Sequence, residues 1–312
     1  WKFSSIRQCK KVVPKNKINA HILDKPDEAI WFCQDKVIKF HIDENFIADR
    51  VKRSHNLGKF VPKIIDNSKH MYSYNIVEGN VLSRNPAPKI FKNFLNFMVD
   101  FWSKPDSKSF EIEQFYEGCS NFYKVKTYER IELFLKRFEV IDRKITINGE
   151  KVPEYKQVLD LLNWDEISKG VPVRFHGDLH FENILCTNDK TRPFCLLDWR
   201  QNFAGDIHIG DIYYDLAKLN HGLIISHEII NSNQFDISVH ADSVNFDFHR
   251  KNLLFECQEI LKDWVHDNQY DWNKVKNMTN LIFLNIASLH DHPYSLLLYY
   301  YGLSSLWNDL HK

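Results

Sequence analysis

The sequence predicts an α+β chain of two lobes, a small β-rich one followed by a larger, mostly helical one. Three observations predict it. Short strand-like runs crowd the first part of the chain, apolar residues recur at helical spacing from Ile90 onward, and Glu78-Gly79-Asn80 sets turn residues between the two regimes. We place the lobes at residues 1–79 and 80–312.

Residues 29–40, Ala-Ile-Trp-Phe-Cys-Gln-Asp-Lys-Val-Ile-Lys-Phe, read as two short strands about a polar turn at Gln34-Asp35. Residues 44–57 lack Gly and Pro and space Phe46, Ile47, Val51 and Leu57 as a helix. Residues 62–66 and 70–77 read as two further strands. Beyond them, helical stripes run through Ile90–Trp102, Ile131–Phe138 and Val158–Trp164. Between the second and third stripes, Asn148-Gly149 marks a two-residue hairpin within 145–152, expected as an ornament. Helices are also expected around 253–265 and 274–289.

With 312 residues, 44% hydrophobic and 26% charged, the chain can bury a large core, which excludes a disordered, collagen-like or small disulfide-stapled protein. A formal net charge of zero gives no global field toward nucleic acid or an anionic membrane. The charge is uneven, however. Residues 1–80 hold 15 Lys/Arg against 9 Asp/Glu, and residues 201–312 hold 7 against 14. Such a division suits polyphosphate at the front of the chain and a metal or cationic acceptor at the back. Six cysteines without C-x-x-C spacing fit a reducing cytoplasm rather than a zinc or disulfide framework. No apolar run approaches the ~20 residues of a membrane span. Trp1 in place of Met fits a processed product or a piece of a longer polypeptide, which would be fused to or work with another biosynthetic domain.

The chemistry-bearing residues concentrate in 171–216. Asp178 and Asn183 lie five apart across a short loop, and Asp198 ends an apolar strand, so flanking strands could aim all three into one cleft. Hard oxygen ligands of this kind suit Mg²⁺. Two carboxylates and a carboxamide are also what phosphoryl transfer requires, since charge must be neutralised and a hydroxyl oriented.

His176-Gly177-Asp178-Leu179-His180-Phe181-Glu182-Asn183 resembles the H-G-D-x-H-x-x-N loop of the aminoglycoside phosphotransferase and choline kinase-like family. Leu197-Asp198-Trp199 and Gly210-Asp211-Ile212-Tyr213-Tyr214-Asp215-Leu216-Ala217 match its two following motifs in order. The resemblance implies a protein-kinase-like bilobal fold and an ATP- and Mg²⁺-dependent small-molecule kinase. By the same resemblance, Asp178 would be the catalytic base, Asn183 and Asp198 the metal ligands, and His176 and Asp211 the pair that braces the loop. Lys39 would be the strand lysine that contacts the phosphates, with Glu44 or Asp49 as its acidic partner. Val77, Glu78 and Gly79 would join the lobes and read the adenine edge.

No glycine precedes Gly58, so no G-x-G-x-x-G loop covers the phosphates, and the lysine-rich stretch Lys10–Asn19 must serve instead. His180, Asp291, His292 and Tyr294 are candidate acceptor contacts. They suit a hydroxyl of a sugar or amino sugar first, then choline, another amino alcohol or an aminoglycoside. A pseudokinase scaffold is the non-enzyme alternative, and the retained Asp178, Asn183 and Asp198 argue against it.

Overall fold

In a computed structural model, which describes residues 27–105, 110–226, 229–230, 232 and 234–311, the chain opens with the expected hairpin. Strands β1 (Glu28–Cys33) and β2 (Lys36–His41) pair antiparallel about Gln34, whose φ of 54° makes the tight turn. Helix α1 follows as expected over Glu44–Leu57, started by Asp43, which accepts from Asn45 N, and stopped at Gly58. Strands β3 (Ile64–Ser68) and β4 (Met71–Asn75) complete an antiparallel sheet in the order β1-β2-β4-β3. One face of β2 and β4 buries Val37, Tyr72 and Tyr74, and Lys39 is buried with them. Lys10–Asn19 lies outside the described residues.

Glu78-Gly79-Asn80, expected as a turn-like linker, instead leads into a strand. β5 (Gly79–Val81) pairs with β9 (Ile184–Thr187), which also pairs with β10 (Phe194–Leu196). A side chain at residue 79 would place its Cβ 2.3 Å from the Cys186 carbonyl oxygen, so the pairing needs glycine. The segment after the first sheet is thereby hydrogen-bonded to the strand that follows the loop over residues 176–183.

The helical part matches expectation at α2 (Pro88–Phe101), α8 (Asn252–Asp267) and α9 (Trp272–Ala287). Helix α3 (Ile112–Ser120) was not foreseen. A π-helical turn over Asn121–Val125 joins it to α4 (Lys126–Phe138). The expected helix through 158–164 is two short ones, α5 (Tyr155–Leu159) and α6 (Trp164–Ser168). The break comes where Asn163 caps the second and leaves Leu161 exposed. The hairpin β6–β7 (Ile145–Ile147, Glu150–Val152) is one edge of a four-stranded sheet with β12 (Phe235–Val239) and β13 (Ser243–Phe248). Strand β8 (Pro172–Val173) pairs with β11 (Gly210–Asp211) just before helix α7 (Ile212–Ile224).

All 13 residues of α7 are buried, because α8 and α9 pack along it, α9 in turn against α10 (Tyr294–His311), and the loop over residues 176–183 covers its start. That position makes α7 the axis of the core, with any polar side chain on it forced to find a partner. Among the described residues no helix is long and apolar enough to cross a membrane. The fold is α+β, with its sheet at the N-terminal end and helices dominating the rest.

Candidate active site

The loop between β8 and β9 is held from below by α7. Asp215, in the first turn of that helix, accepts from His176 N at 2.8 Å, Gly177 N at 2.7 Å and Trp102 Nε1 at 3.0 Å. Burial lifts its carboxyl to about 6 against the pull of these donors. Gly177 has φ 86°, and a Cβ there would meet Arg200 Cβ at 2.6 Å, so glycine alone fits this bend. His176 is fully buried. Its Nε2 donates to Leu197 O at 2.9 Å and its Nδ1 accepts from Asp178 N at 3.2 Å, which fixes a neutral tautomer. Burial lowers its pKa to about 3. His176 therefore ties the backbone of Asp178 to the strand end that carries Asp198.

The expected pairing of His176 with Asp211 is replaced by the contacts to Asp215. Asp211 caps α7 through Tyr213 N and accepts from Val171 N at 2.9 Å and Tyr123 Oη at 2.8 Å, so it supports β8. Both aspartates lie in the same motif. What distinguishes them is one helical turn, which points Asp215 at the loop.

Asp178 Oδ1 lies 2.8 Å from Lys218 Nζ, and Oδ2 lies 3.6 Å from His180 Nε2. Burial would raise the Asp178 carboxyl, but the Lys218 ammonium and the His180 ring hold it well below the usual range, and it is ionised. His180 Nδ1 lies 2.8 Å from Glu182 Oε2. Burial works against its charge, but the carboxylates of Asp178 and Glu182 carry its pKa up to about 9. Asn183 Nδ2 donates to Asp178 O at 2.9 Å, leaving its Oδ1 without a partner among the described residues. Lys218 was missed from sequence because only the all-round burial of α7 turns it into the cleft.

Asp198, with φ 57°, stands at the end of β10 and accepts from Lys39 Nζ at 2.7 Å and from Arg50 Nη1, both at Oδ1. Burial opposes ionisation of Asp198, yet these two cations hold its carboxyl far below the usual range. Lys39 thus has neither expected partner. Glu44 sits on the surface 3.6 Å from Lys69, and Asp49 accepts from Asn202 Nδ2 at 3.3 Å. The helix residue facing the cleft is Arg50, which Trp199 fixes by donating to its carbonyl at 3.0 Å. Helical spacing identified α1 but not which side of it the rest of the chain would cover.

Lys39, Asp178, Asn183 and Asp198 share one open cleft of ≈ 2360 Å³, whose rim includes Val77, Glu78 and Gly79. That is room for more than one drug-sized ligand, whose pockets span about 300–1,000 Å³. Of the acceptor candidates, His180 and the buried Tyr294 line the cleft. Asp291 also lines it but is largely exposed and paired with Arg137 at 2.7 Å. His292 does not line it. Its ring lies 4.3 Å from that of Phe138, and its Nδ1 contacts Ser295 Oγ at 3.1 Å. Lys126, Arg130 and Arg200 line the same cleft and lie near Lys218, the lysine paired with Asp178.

The family model of the APH phosphotransferase enzyme family matches residues 148–224, the stretch that carries the loop, Asp198 and the start of α7. No curated protein matches the sequence. Among solved structures, the chain is similar to APH(2")-IIa in complex with gentamicin, at 12% identity and a TM-score of 0.49, covering 98% of this chain and 96% of that one. It is also similar to an ethanolamine kinase from Plasmodium vivax, at 13% identity and a TM-score of 0.48, covering 96% and 84%. A choline kinase from Cryptosporidium parvum is similar at 13% identity and a TM-score of 0.44, covering 99% and 94%. Residues 148–224 of this α+β chain thus match the phosphotransferase enzyme family, over the segment that carries Asp178, Asn183 and Asp198.

Proposed function

We propose that the chain is an ATP- and Mg²⁺-dependent kinase that transfers the γ-phosphate to a hydroxyl of a sugar or amino sugar. Residues 1–79 serve as the nucleotide lobe, and residues 80–312 as the catalytic and acceptor lobe. The observation that carries this reading is the ionised Asp178 on the same cleft as Asn183, Asp198 and Lys39. Asp178 orients the acceptor hydroxyl and accepts its proton as the oxygen bonds to the γ-phosphorus. The bond from that phosphorus to the β–γ bridging oxygen breaks, and ADP leaves with the electron pair. Lys39 holds the phosphates, and Val77, Glu78 and Gly79 border the base.

The donor set fits Mg²⁺. Asp198 uses Oδ1 for Lys39 and Arg50, so Oδ2 can serve as a ligand, and the Asn183 Oδ1 is a second hard oxygen. When bound, Mg²⁺ neutralises charge on the phosphate oxygens.

Stoichiometric ADP release across sugars, amino sugars, amino alcohols and aminoglycosides tests the reading, with Asp178→Ala as the blank. Turnover with a sugar or amino sugar, well above the blank, is expected. Equal turnover in Asp178→Ala would remove the assignment of the base, and failure of the wild type to bind Mg·ATP would remove the kinase reading.

A further inference from the structure

The cleft that holds Asp178 also gathers Lys126, Arg130 and Arg200, a cluster of basic side chains that no carboxylate pairs among the described residues. The π-helical turn over Asn121–Val125 buries Phe122, and two cations stack on that ring. Lys126 Nζ lies 4.0 Å from its centroid and Arg200 Cζ 4.9 Å. Arg130 follows Lys126 by one turn of α4, on the same face, and all three line the cleft that holds Asp178. Of the other cations on the cleft, Lys39 and Arg50 pair with Asp198, Lys218 with Asp178, and Arg137 with Asp291. Neither Lys126 nor Arg130 is paired with a carboxylate among the described residues. Around Lys126 the acting groups are all cations. Burial and then Arg200, Arg130 and Lys218 push its pKa down to about 6.

Half-buried basic groups gathered without a counter-charge crowd one another and lose hydration, so the Lys126 amine gives up its proton easily and is charged at little cost only when an anion arrives with the ligand. In the kinase reading the ATP phosphates belong with Lys39 at Asp198, a cation already paired, and not with this cluster. We infer that the acceptor is anionic, and that its phosphate or carboxylate seats among Lys126, Arg130 and Arg200 while its hydroxyl meets Asp178. The inference rests on the kinase reading and narrows its substrate class. A cationic acceptor would face this cluster unfavourably, and the acidic C-terminal third of the sequence does not offset it at this point of the cleft.

The test is calorimetric titration of the intact chain, loaded with Mg·ADP, with matched acceptors. These are glucose, glucosamine, glucose 6-phosphate and glucuronate, with ribose and ribose 5-phosphate as a second set. We expect an anionic member to bind at least about tenfold more tightly than its neutral and amino counterparts. The phosphate and carboxylate arms then tell which anion the cluster prefers. Lys126→Ala/Arg130→Ala should remove about 10- to 100-fold of that affinity. Its melting midpoint should stay at or above the wild type, because a partly buried amine crowded by like groups is removed. Lys126→Met, which keeps the contact with Phe122, should weaken the anion without disturbing the fold. Three results would overturn the inference: neutral or amino sugars binding as tightly as the anions, anion affinity surviving the double substitution, or no anion binding while Mg·ADP is bound. Failure of Mg·ADP itself to bind would instead bring down the kinase reading, and the inference with it.

Discussion

Lys218 and Asp178 form an ion pair 2.8 Å long in the floor of the cleft, with His180 at the other carboxylate oxygen. The pair joins the axial helix of the core to the loop over residues 176–183, so the charge state of Asp178 is set by a residue 40 positions further along the chain. A carboxylate held this low suits a transfer in which the protein chiefly orients the hydroxyl and the proton leaves late.

Replacing Lys218 by Met should therefore raise the pKa of Asp178. In the wild type, no acid limb from Asp178 should appear in kcat/KM above about pH 4, the ordinary aspartate value. In Lys218→Met the limb should move up in pH, so that activity at low pH falls while the plateau is reached only at higher pH. An unmoved limb would separate Lys218 from the control of Asp178.

Asp198 neutralises two buried cations, and its removal leaves Lys39 and Arg50 facing each other. Asp198→Ala should cost about 3 kcal/mol of stability and weaken Mg·ATP binding. Asp198→Ala/Arg50→Met should recover roughly half of that stability, because one unpaired charge is gone, yet leave Mg·ATP binding weak. Urea denaturation and nucleotide titration of both variants separate the structural effect from the ligand effect.

At Asp215, all three N–H donors depend on one carboxylate with no access to water. Asp215→Asn turns one acceptor into a donor pointed at another donor, which should cost about 1.5–3 kcal/mol. The catalytic loop should loosen first. Faster amide exchange at His176 and Gly177 than in the remaining core checks this, and global unfolding without local loosening would argue against it.

His176 supplies a pH dependence of known sign. Its pKa is about 3 when folded and 6.5 in its ordinary state, so below pH 6.5 the unfolded chain takes a proton that the folded chain refuses. Stability from this group is complete above pH 6.5 and is lost as pH falls, at about 1.4 kcal/mol per pH unit. Asp215 acts oppositely between about 6 and 3.8, so the total profile is flattened. The difference between wild type and His176→Gln isolates the histidine, and it should shrink by roughly 2 kcal/mol between pH 7 and pH 5. A constant difference would show that His176 is charged in the native state.

The elements legible in the sequence were those whose signals are local. Helix Glu44–Leu57 begins and ends beside Asp43 and Gly58, and the first hairpin turns at Gln34, because caps and turns depend on adjacent residues. Helix Tyr294–His311 was not legible, since it is buried along most of one length and shows no polar stripe to set a period. The split at Leu161 was equally hidden, because an apolar residue left in water looks the same in a sequence as one in the core.

The order of motifs in 176–217 pointed, without coordinates, to the class of chemistry and nominated the side chains to carry it. Oxygen ligands and a loop carboxylate are a matter of residue identity and spacing. Only the tertiary structure decided what those groups face. Arg50 in place of an acidic partner for Lys39, Lys218 against Asp178, Asp215 beneath the loop and Lys126 with Arg130 and Arg200 in the cleft all join or crowd residues distant in sequence. Such contacts depend on which face of a helix the rest of the chain covers, and the electrostatics of a site follow from that covering rather than from local pattern.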